Sequence, residues 1–287
     1  MSLIPATDLI LNRDGSVYHL SLLPKHVSDT VIVVGDPNRV FRVSQYFDEI
    51  SYEINQREFI THVGRFNGKK ITVISSGIGT DNVEILFTEL DALVNVDLKT
   101  REPKTKRKKL KIIRIGTSGA LQQDIPVGTH LVSDYAVGLD NLMNFYSFEA
   151  DEDGTKLASD IKEKLGLAFR PYVGRGSKNL MATVAFDMVK GNTVTAPGFY
   201  APQGRTVRLP IRYPSLLSAL NQYHYKKLDF WFTNFEMETA GYYALGALLG
   251  HEVLSVNAII ANRIADTFSP QPNKIIDALI LKVLERI

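Results

Sequence analysis

The sequence predicts an α/β fold, in which helices cover a mostly parallel central sheet. Short β-branched runs alternate with helix-like stretches, and several of these runs end at a glycine. The runs are also nearly continuous in apolar residues, which is typical of strands that are buried on both faces. No stretch of the chain has the composition of a linker, so residues 1–287 are predicted to form a single domain.

The predicted elements follow one another in a clear order along the chain. Strands are predicted at 30–35, 70–77, 111–116, 129–134 and 252–260, and helices at 83–94, 236–249 and 273–287. The second helix is followed by Gly250, and a glycine just past the last helical residue is a common stop signal. Because ligands bind beyond the strand ends in such sheets, we expect the polar residues that follow the strands to form a site.

The composition narrows the class of protein. Hydrophobic residues make up 45% of the chain and charged residues 22%, which is ordinary for a globular protein with a sizeable core. A formal net charge of +2 gives no reason to expect nucleic acid or a membrane as a partner. The chain contains no cysteine, which excludes disulfides and zinc–cysteine sites. With neither a signal-peptide pattern nor a long apolar run, we expect a cytoplasmic protein, and no metal site is predicted.

One segment has a biased composition. Residues 99–111 include seven basic side chains and one acidic side chain between Arg101 and Lys111. Charged blocks of this kind are usually solvated, so we predict a basic surface insertion. The alternative is a loop that binds an anion or a partner.

The residues Gly35 to Arg39, with the sequence GDPNR, follow the first predicted strand. Asp36 suits a helix cap and Pro37 suits the first helical turn. The free N–H groups of a helix start, together with a nearby arginine, favour an anion site. The alternative is a plain turn with a surface arginine.

A second candidate for anion binding is Arg114, which stands inside an apolar strand. Burying an arginine is costly unless an anion pairs with it. The hydroxyls of Thr117 and Ser118 follow and could donate to the same anion. A structural ion pair would also explain the buried arginine.

Two further clusters carry polar groups. Glu236 and Glu238 are predicted at the start of a buried helix, where carboxylates are suited to gripping sugar hydroxyls or simply to capping. The loop 198–205 combines Phe199, which could stack on a base, with the amide of Gln203 and the planar donor group of Arg205. Taken alone, this loop could equally be an ordinary surface loop.

The order of these motifs resembles the nucleoside phosphorylase family, and its uridine phosphorylase branch most closely. The matching segments are VYHLSL around His19, GDPNR at 35–39, QREF at 56–59, SSGIGT at 75–80, RIGTSG at 114–119, FYAPQGR at 199–205, FEMET at 235–239 and ANR at 261–263. The resemblance implies a three-layer fold with a mixed central sheet flanked by helices. It also implies a transferase of nucleotide salvage that uses inorganic phosphate as a co-substrate and needs no cofactor.

The resemblance also assigns a role to each matching position. It implies phosphate binding by Gly35, Arg39, Arg57, Arg114 and Thr117, ribose binding by His19, Glu236, Met237 and Glu238, and base binding by Phe199, Gln203, Arg205, Ile260 and Ala261. Glu238, Arg205 and Gln203 are the predicted catalytic residues, and Arg263 is implied to support the base loop. His19 and Arg57 are implied to reach the site of a neighbouring subunit. We therefore expect a homo-oligomer, at least a dimer, with a hexamer built from dimers as the larger alternative.

The predicted reaction is phosphate-dependent cleavage of uridine, or a related pyrimidine nucleoside, to uracil and ribose 1-phosphate. No acid occurs at 259–263, where the resemblance places an aspartate in the purine branch, so a pyrimidine is favoured. The alternatives are a purine nucleoside phosphorylase, a hydrolase, and a nucleoside-binding protein without turnover. Some relatives also hold a monovalent cation between subunits near Glu58, but Asn82 here replaces an expected serine.

Overall fold

The computed structural model describes residues 3–287, in which helices and strands alternate along most of the chain. The strands are β1 (Thr30–Val34), β2 (Glu49–Gln56), β3 (Phe59–Phe66), β4 (Lys69–Ser75), β5 (Val96–Asp97), β6 (Glu102–Pro103), β7 (Lys111–Ala120), β8 (His130–Gly138), β9 (Tyr172–Arg175), β10 (Val189–Thr195), β11 (His224–Tyr225), β12 (Phe230–Trp231), β13 (Asn234–Glu236), β14 (Glu252–Asn262) and β15 (Thr267–Phe268). The helices are α1 (Pro37–Ser44), α2 (Thr80–Asn95), α3 (Glu152–Lys164), α4 (Lys178–Val184), α5 (Leu216–Gln222), α6 (Thr239–Leu249) and α7 (Pro272–Leu284). The α/β class is confirmed.

The central sheet has 11 strands and is mixed, as the resemblance implies. Strand β1 pairs in parallel with β4 and β7, whereas β2, β3 and β4 form antiparallel neighbours. The expectation of a mostly parallel sheet was therefore wrong, both in the antiparallel pairs β7–β13, β8–β9, β8–β14 and β14–β15 and at this edge. The physical reason at this edge is the short connections, because two-residue links at 57–58 and 67–68 can join only antiparallel strands.

Five strands of the sheet also close on themselves. Going around, β14 pairs with β8, β8 with β10, β10 with β13 and β13 with β7, and β7 pairs back with β14. These strands form a small barrel within the sheet. The residues of β7 and β13 that carry candidate site side chains therefore belong to a closed part of the sheet.

The core lies on both faces of the sheet, which gives three layers. Alternate residues of a strand point to opposite faces. Val31 and Val33 of β1 belong to a buried cluster with α2 and α6, whereas Ile32 and Val34 belong to another with α1, α4 and α7. This arrangement explains why the strand is apolar at every position.

The start of the second predicted helix differs from the prediction. Glu236 ends strand β13 and Glu238 is the N-cap residue, so helix α6 begins only at Thr239. The segment before the helix pairs with both β10 and β7, and this tertiary pairing outweighs its helical pattern. The helix ends as predicted, with Gly250 at φ +78°.

The basic segment at 99–111 runs over the surface and contains the short strand β6. Most of its basic side chains are exposed. The side chain of Asn95 binds the backbone of this segment at Lys108. Its Oδ1 accepts from Lys108 N at 2.6 Å, and its Nδ2 donates to Lys108 O at 3.1 Å. Within residues 3–287, every helix is either too short or too polar to cross a membrane.

Candidate active site

A cavity of about 690 Å³ opens beyond the ends of β1, β7 and β13. It collects all the predicted site residues except His19 and Arg57. The predicted residues that line it are Gly35, Arg39, Arg114, Thr117, Phe199, Gln203, Arg205, Glu236, Met237, Glu238, Ile260 and Ala261. The residues come from segments more than 200 positions apart, so the site is created by the fold of the sheet.

Arg114 on β7 pairs with both candidate carboxylates. Its Nη2 lies 2.6 Å from Glu238 Oε2 and 2.9 Å from Glu236 Oε2. All three side chains are buried, with Arg114 only 4% exposed. The structural ion pair that the sequence left open is therefore present, Arg114 also lines the cavity, and its binding of an anion stays a prediction.

The charged groups of this cluster shift the pKa values of Arg114 and Glu238. Burial by itself lowers the pKa of Arg114, but the carboxylates of Glu236 and Glu238 outweigh it and raise that pKa. Burial, and after it the like charge of Glu236, raises the pKa of Glu238 above its ordinary value, whereas Arg114 opposes the rise. The cluster holds two carboxylates against one guanidinium, so its ionisation depends on what enters the cavity.

Each carboxylate is also held by hydrogen bonds. Glu236 Oε1 accepts from Thr195 Oγ1 at 2.8 Å and from Thr239 N at 3.0 Å. Glu238 Oε1 accepts from Gly79 N at 2.8 Å. These contacts orient both carboxylates at the cavity wall.

Arg39 lies in helix α1, directly after the turn at Gly35, and points towards β7. Its Nη1 donates to Ile115 O at 3.2 Å. Burial, and after it the like charge of Arg114, lowers the pKa of Arg39 to about 10. Two guanidinium groups that repel each other in one cavity favour the binding of an anion between them.

The opposite end of the cavity carries an aromatic ring, an amide and an arginine. Arg205 Nη1 donates to Gln203 Oε1 at 2.6 Å and to Phe199 O at 2.7 Å. The guanidinium carbon of Arg205 lies 3.9 Å from the Phe199 ring centroid. Arg263 Nη1 donates to Gln203 O at 3.2 Å, in keeping with the support that the resemblance implies.

The end of strand β14 carries residues that line the cavity and one residue that holds a turn. Ile260 and Ala261 line the cavity. Asn262 instead faces the turn that follows, where its Oδ1 accepts from Ile264 N and Ala265 N and its Nδ2 donates to Gln122 O and Ile125 O. All of its polar atoms are therefore used by backbone groups, and Asn262 serves the turn rather than a ligand.

His19 and Arg57 lie outside this cavity, on the surface of the same chain. His19 Nδ1 is 2.6 Å from Glu89 Oε1, and the N–H groups of His19 and Leu20 also bond Glu89. Arg57 is exposed, has φ +52° and lies with its guanidinium carbon 5.9 Å from the Tyr18 ring centroid. The two residues are therefore neighbours through Tyr18.

Several residues of the site were missed from the sequence. Ile78 and Phe268 line the cavity and are 68% and 66% exposed, which leaves apolar surface at the opening. Thr195 on β10 donates a hydrogen bond to Glu236, and the backbone N–H of Gly79 donates one to Glu238. A motif signal exists only for the SSGIGT segment, which contains Ile78 and Gly79, because the other contacts are decided by strand pairing.

Comparison with known proteins gives consistent matches along the chain. A sequence profile described as the phosphorylase superfamily matches residues 29–278. The uridine phosphorylase of Thermococcus kodakarensis is 29% identical over 271 residues, which cover 91% of this chain and 83% of that protein. A DeoD-type purine nucleoside phosphorylase of Colwellia psychrerythraea is 26% identical over 246 residues, which cover 83% of this chain and 84% of that protein.

The fold is also similar to a solved structure. A nucleoside phosphorylase of Trypanosoma brucei, described as showing uridine phosphorylase activity, superposes with a TM-score of 0.88 at 28% sequence identity. The superposition covers 98% of this chain and 100% of that one. The similarity therefore extends over nearly the whole chain.

Proposed function

This chain belongs to the phosphorylase superfamily, as its motifs predict, and we propose that it is a pentosyltransferase that cleaves uridine, or a related pyrimidine nucleoside, with inorganic phosphate. The products are uracil and ribose 1-phosphate. The observation that carries the proposal is the arrangement of one cavity, with two arginines at one end, two buried carboxylates beside them and an amide–arginine pair at the other end. Each part matches one part of the substrates.

The arginine end suits the phosphate. Arg39 and Arg114 supply positive charge, Thr117 supplies a hydroxyl, and Gly35 leaves the turn open to an anion. Holding the phosphate beside C1′ of the sugar converts a bimolecular attack into an oriented one. In the reaction, a phosphate oxygen forms a bond to C1′, and the electron pair of the C1′–N1 bond leaves with uracil.

The carboxylates suit the ribose. The transition state carries positive charge on the sugar ring, and a fixed negative charge beneath it lowers the barrier. Glu238 can accept a hydrogen bond from the 2′-hydroxyl of the ribose. Glu236 and Met237 line the same wall of the cavity. The burial of Glu238 supports the role, because charge interactions are stronger away from water.

The amide–arginine end suits a pyrimidine. Gln203 and Arg205 can donate to the oxygens of uracil and take up the charge of the leaving base, while Phe199 offers a face for stacking. The lining residues at this end, which include Ile260, Ala261 and Phe268, provide no carboxylic acid to protonate a purine. A site built to hydrogen-bond one base edge rejects mismatched bases by about 10⁴ in favourable cases.

A second copy of the chain completes the proposed site. His19 and Arg57 are neighbours on the surface, which supports their joint contribution to the cavity of a partner, near the ribose and the phosphate respectively. The proposed assembly is therefore at least a dimer. The larger hexamer and a monovalent cation near Glu58 stay predictions, and the proposed reaction needs no organic cofactor.

A purine nucleoside phosphorylase is the second candidate, and one observation favours it. The match to the Colwellia psychrerythraea enzyme is nearly as extensive as the match to the uridine phosphorylase. The lack of an acid beside Ala261 supports the pyrimidine instead.

The test is the release of free base from uridine, thymidine and inosine, each with and without phosphate. Uracil release that requires phosphate and yields ribose 1-phosphate is the expected result. Turnover of inosine without turnover of uridine would favour the purine candidate. Base release that is independent of phosphate would indicate hydrolysis, and binding of uridine without any product would indicate a binding protein.

A further inference from the structure

A chain of buried hydrogen bonds crosses all five strands of the barrel. It begins at Arg114 on β7, whose Nη1 donates to Asn257 Oδ1 on β14 at 3.1 Å. It continues from Asn257 Nδ2 to Ser133 Oγ on β8 at 3.4 Å, from there to Thr193 Oγ1 on β10 at 2.6 Å, and then to Asn234 Oδ1 on β13 at 3.0 Å. Asn234 Nδ2 closes the circuit by donating to Ser118 Oγ on β7 at 2.9 Å.

The direction of these bonds follows from Arg114. A guanidinium has donors only, so Asn257 must turn its Oδ1 towards Arg114 and its Nδ2 away from it. The outward Nδ2 then bonds Ser133 Oγ and, at 3.3 Å, Ser255 Oγ. Asn257 is fully buried, so a buried group without these partners would be costly. The amide is therefore fixed from both sides.

The position of Asn257 depends on a glycine in the neighbouring strand. Asn257 and Gly116 are direct partners in the pairing of β14 with β7. A Cβ atom at Gly116 would lie 1.9 Å from Arg114 Nη1 and 2.8 Å from Asn257 Oδ1. The space that Gly116 leaves free is therefore occupied by the contact between Arg114 and Asn257.

We propose that Asn257 is a positioning residue, which fixes Nη1 of Arg114 and thereby directs Nη2 to Glu238 and Glu236. This inference deepens the proposed function and rests on it. Asn257 is fully buried and does not line the cavity, so it acts through Arg114. Arg114 Nη1 also donates to Ser255 Oγ, but at 3.4 Å this contact is longer than the 3.1 Å contact to Asn257 Oδ1. Asn257 is therefore the nearer acceptor for Nη1.

The consequence of losing Asn257 is a rotated guanidinium. Glu238 would then lose the charge that opposes the rise of its pKa. The charged and titratable groups that face Glu238 are Arg114 from β7, Arg39 from α1, Glu236 from β13 and Tyr242 from α6. With Arg114 turned away, burial and Glu236 would raise the pKa of Glu238 further, so Glu238 would need a higher pH to lose its proton.

The test compares Asn257→Leu with Asn95→Leu in the full-length protein. Asn95 is a matched control, because it is also a buried and hydrogen-bonded amide, but it holds Lys108 rather than Arg114. We expect Asn257→Leu to lower kcat by about 30-fold with little change in KM for uridine, and to move the acid limb of kcat/KM to higher pH. Asn95→Leu should lower only the melting temperature.

Two further variants keep the test decisive. Asn257→Asp keeps an acceptor for Nη1 and should retain more of kcat than Asn257→Leu. Asn257→Ala is measured beside them in case the buried leucine prevents folding. If Asn257→Leu or Asn257→Ala folds and keeps the kcat and pH profile of the wild type, the positioning role is wrong.

A binding measurement separates this inference from the proposed function. Inorganic phosphate should raise the melting temperature of the wild type and of Asn95→Leu, and should raise that of Asn257→Leu much less. An equal shift in all three proteins would overturn the positioning role, whatever the substrate. A wild type that turns over no nucleoside would instead overturn the proposed function, and the phosphate shifts would still decide the role of Asn257.

Discussion

Arg114 and Glu238 meet at 2.6 Å inside the cavity, with the arginine on a central strand and the glutamate at the cap of a helix. The pair joins the part of the site that suits phosphate to the part that suits ribose. The same Nη2 also lies 2.9 Å from Glu236 Oε2, so one guanidinium holds both carboxylates at the cavity wall.

Replacing Glu238 by glutamine removes a charge and keeps the shape of the side chain. We expect kcat for uridine to fall by about 100-fold or more, with a much smaller change in KM, because the charge matters mainly in the transition state. Steady-state kinetics with saturating phosphate measure both constants. Glu163→Gln on the exposed part of α3 is the control. Equal losses in binding and turnover would contradict the role of Glu238.

The acid limb of the pH profile should report the ionisation of Glu238. Its pKa is raised above the ordinary value of 4.5 by burial and by Glu236, so activity should fall as pH falls through a midpoint above 4.5. Glu236→Gln removes one of the two raising causes and should move the midpoint to lower pH. The measurement is kcat/KM for uridine from about pH 4 to about pH 8. A midpoint at or below 4.5 would show that Glu238 is not the group that titrates.

Two glycine substitutions should separate ligand contact from internal packing. A Cβ atom at Gly35 would lie 3.5 Å from Gly77 O, which is an ordinary contact, so Gly35→Ala should fold normally. Its methyl group would face the cavity, and we expect the KM for phosphate to rise by about 10-fold. Gly116→Ala should instead displace Arg114, because its Cβ atom would lie 1.9 Å from Nη1. We expect this variant to lose kcat.

Thermal melting and steady-state kinetics of the two glycine variants check this distinction. An unchanged KM for phosphate in a well-folded Gly35→Ala would mean that the turn does not contact the anion. A Gly116→Ala variant with wild-type kcat would mean that the guanidinium does not need the space above the glycine.

Gln203→Leu should test the recognition of the base. The side chain is 3% exposed and bonds Arg205, so the leucine removes polar contacts while staying buried. We expect kcat/KM for uridine to fall by about 100-fold, because the polar groups of uracil would be left without partners. Phosphate binding, measured by calorimetry, should not change. The exposed Gln45→Leu is the control, and an unaltered kcat/KM in Gln203→Leu would remove Gln203 from the base site.

Subunit complementation should test the shared site. Arg57→Ala and Glu238→Gln are each expected to lose most of the activity, since Arg57→Ala damages the residue lent to the partner and Glu238→Gln damages the chain's own site. In a mixed dimer, one of the two sites would contain neither substitution. Co-expressed variants should therefore recover about a quarter of the wild-type activity when the chains mix at random. No recovery from verified mixed oligomers would show that Arg57 acts within its own chain.

The fold class could be predicted from local patterns in the sequence, and the predicted cavity residues came from the motifs that carry the family resemblance. The apolar run before Gly35 and the glycine after helix α6 are local signals, and the structure has the strand and the helix end where they predict them. The start of α6 could not be predicted in this way. The residues at 234–236 pair with two other strands, and such pairing has no signal in a window of a few residues.

The sequence by itself thus determined the alternation of strands and helices and the set of motifs that resembles one family, since composition and local order carry that information. Only the tertiary structure decided that Arg114 pairs with two carboxylates, that Asn257 anchors it, and that Asn262 serves a turn. The physical reason is strand pairing: Asn257 meets Gly116 and Arg114 because β14 lies beside β7 in one register, although the chain separates them by more than 130 residues.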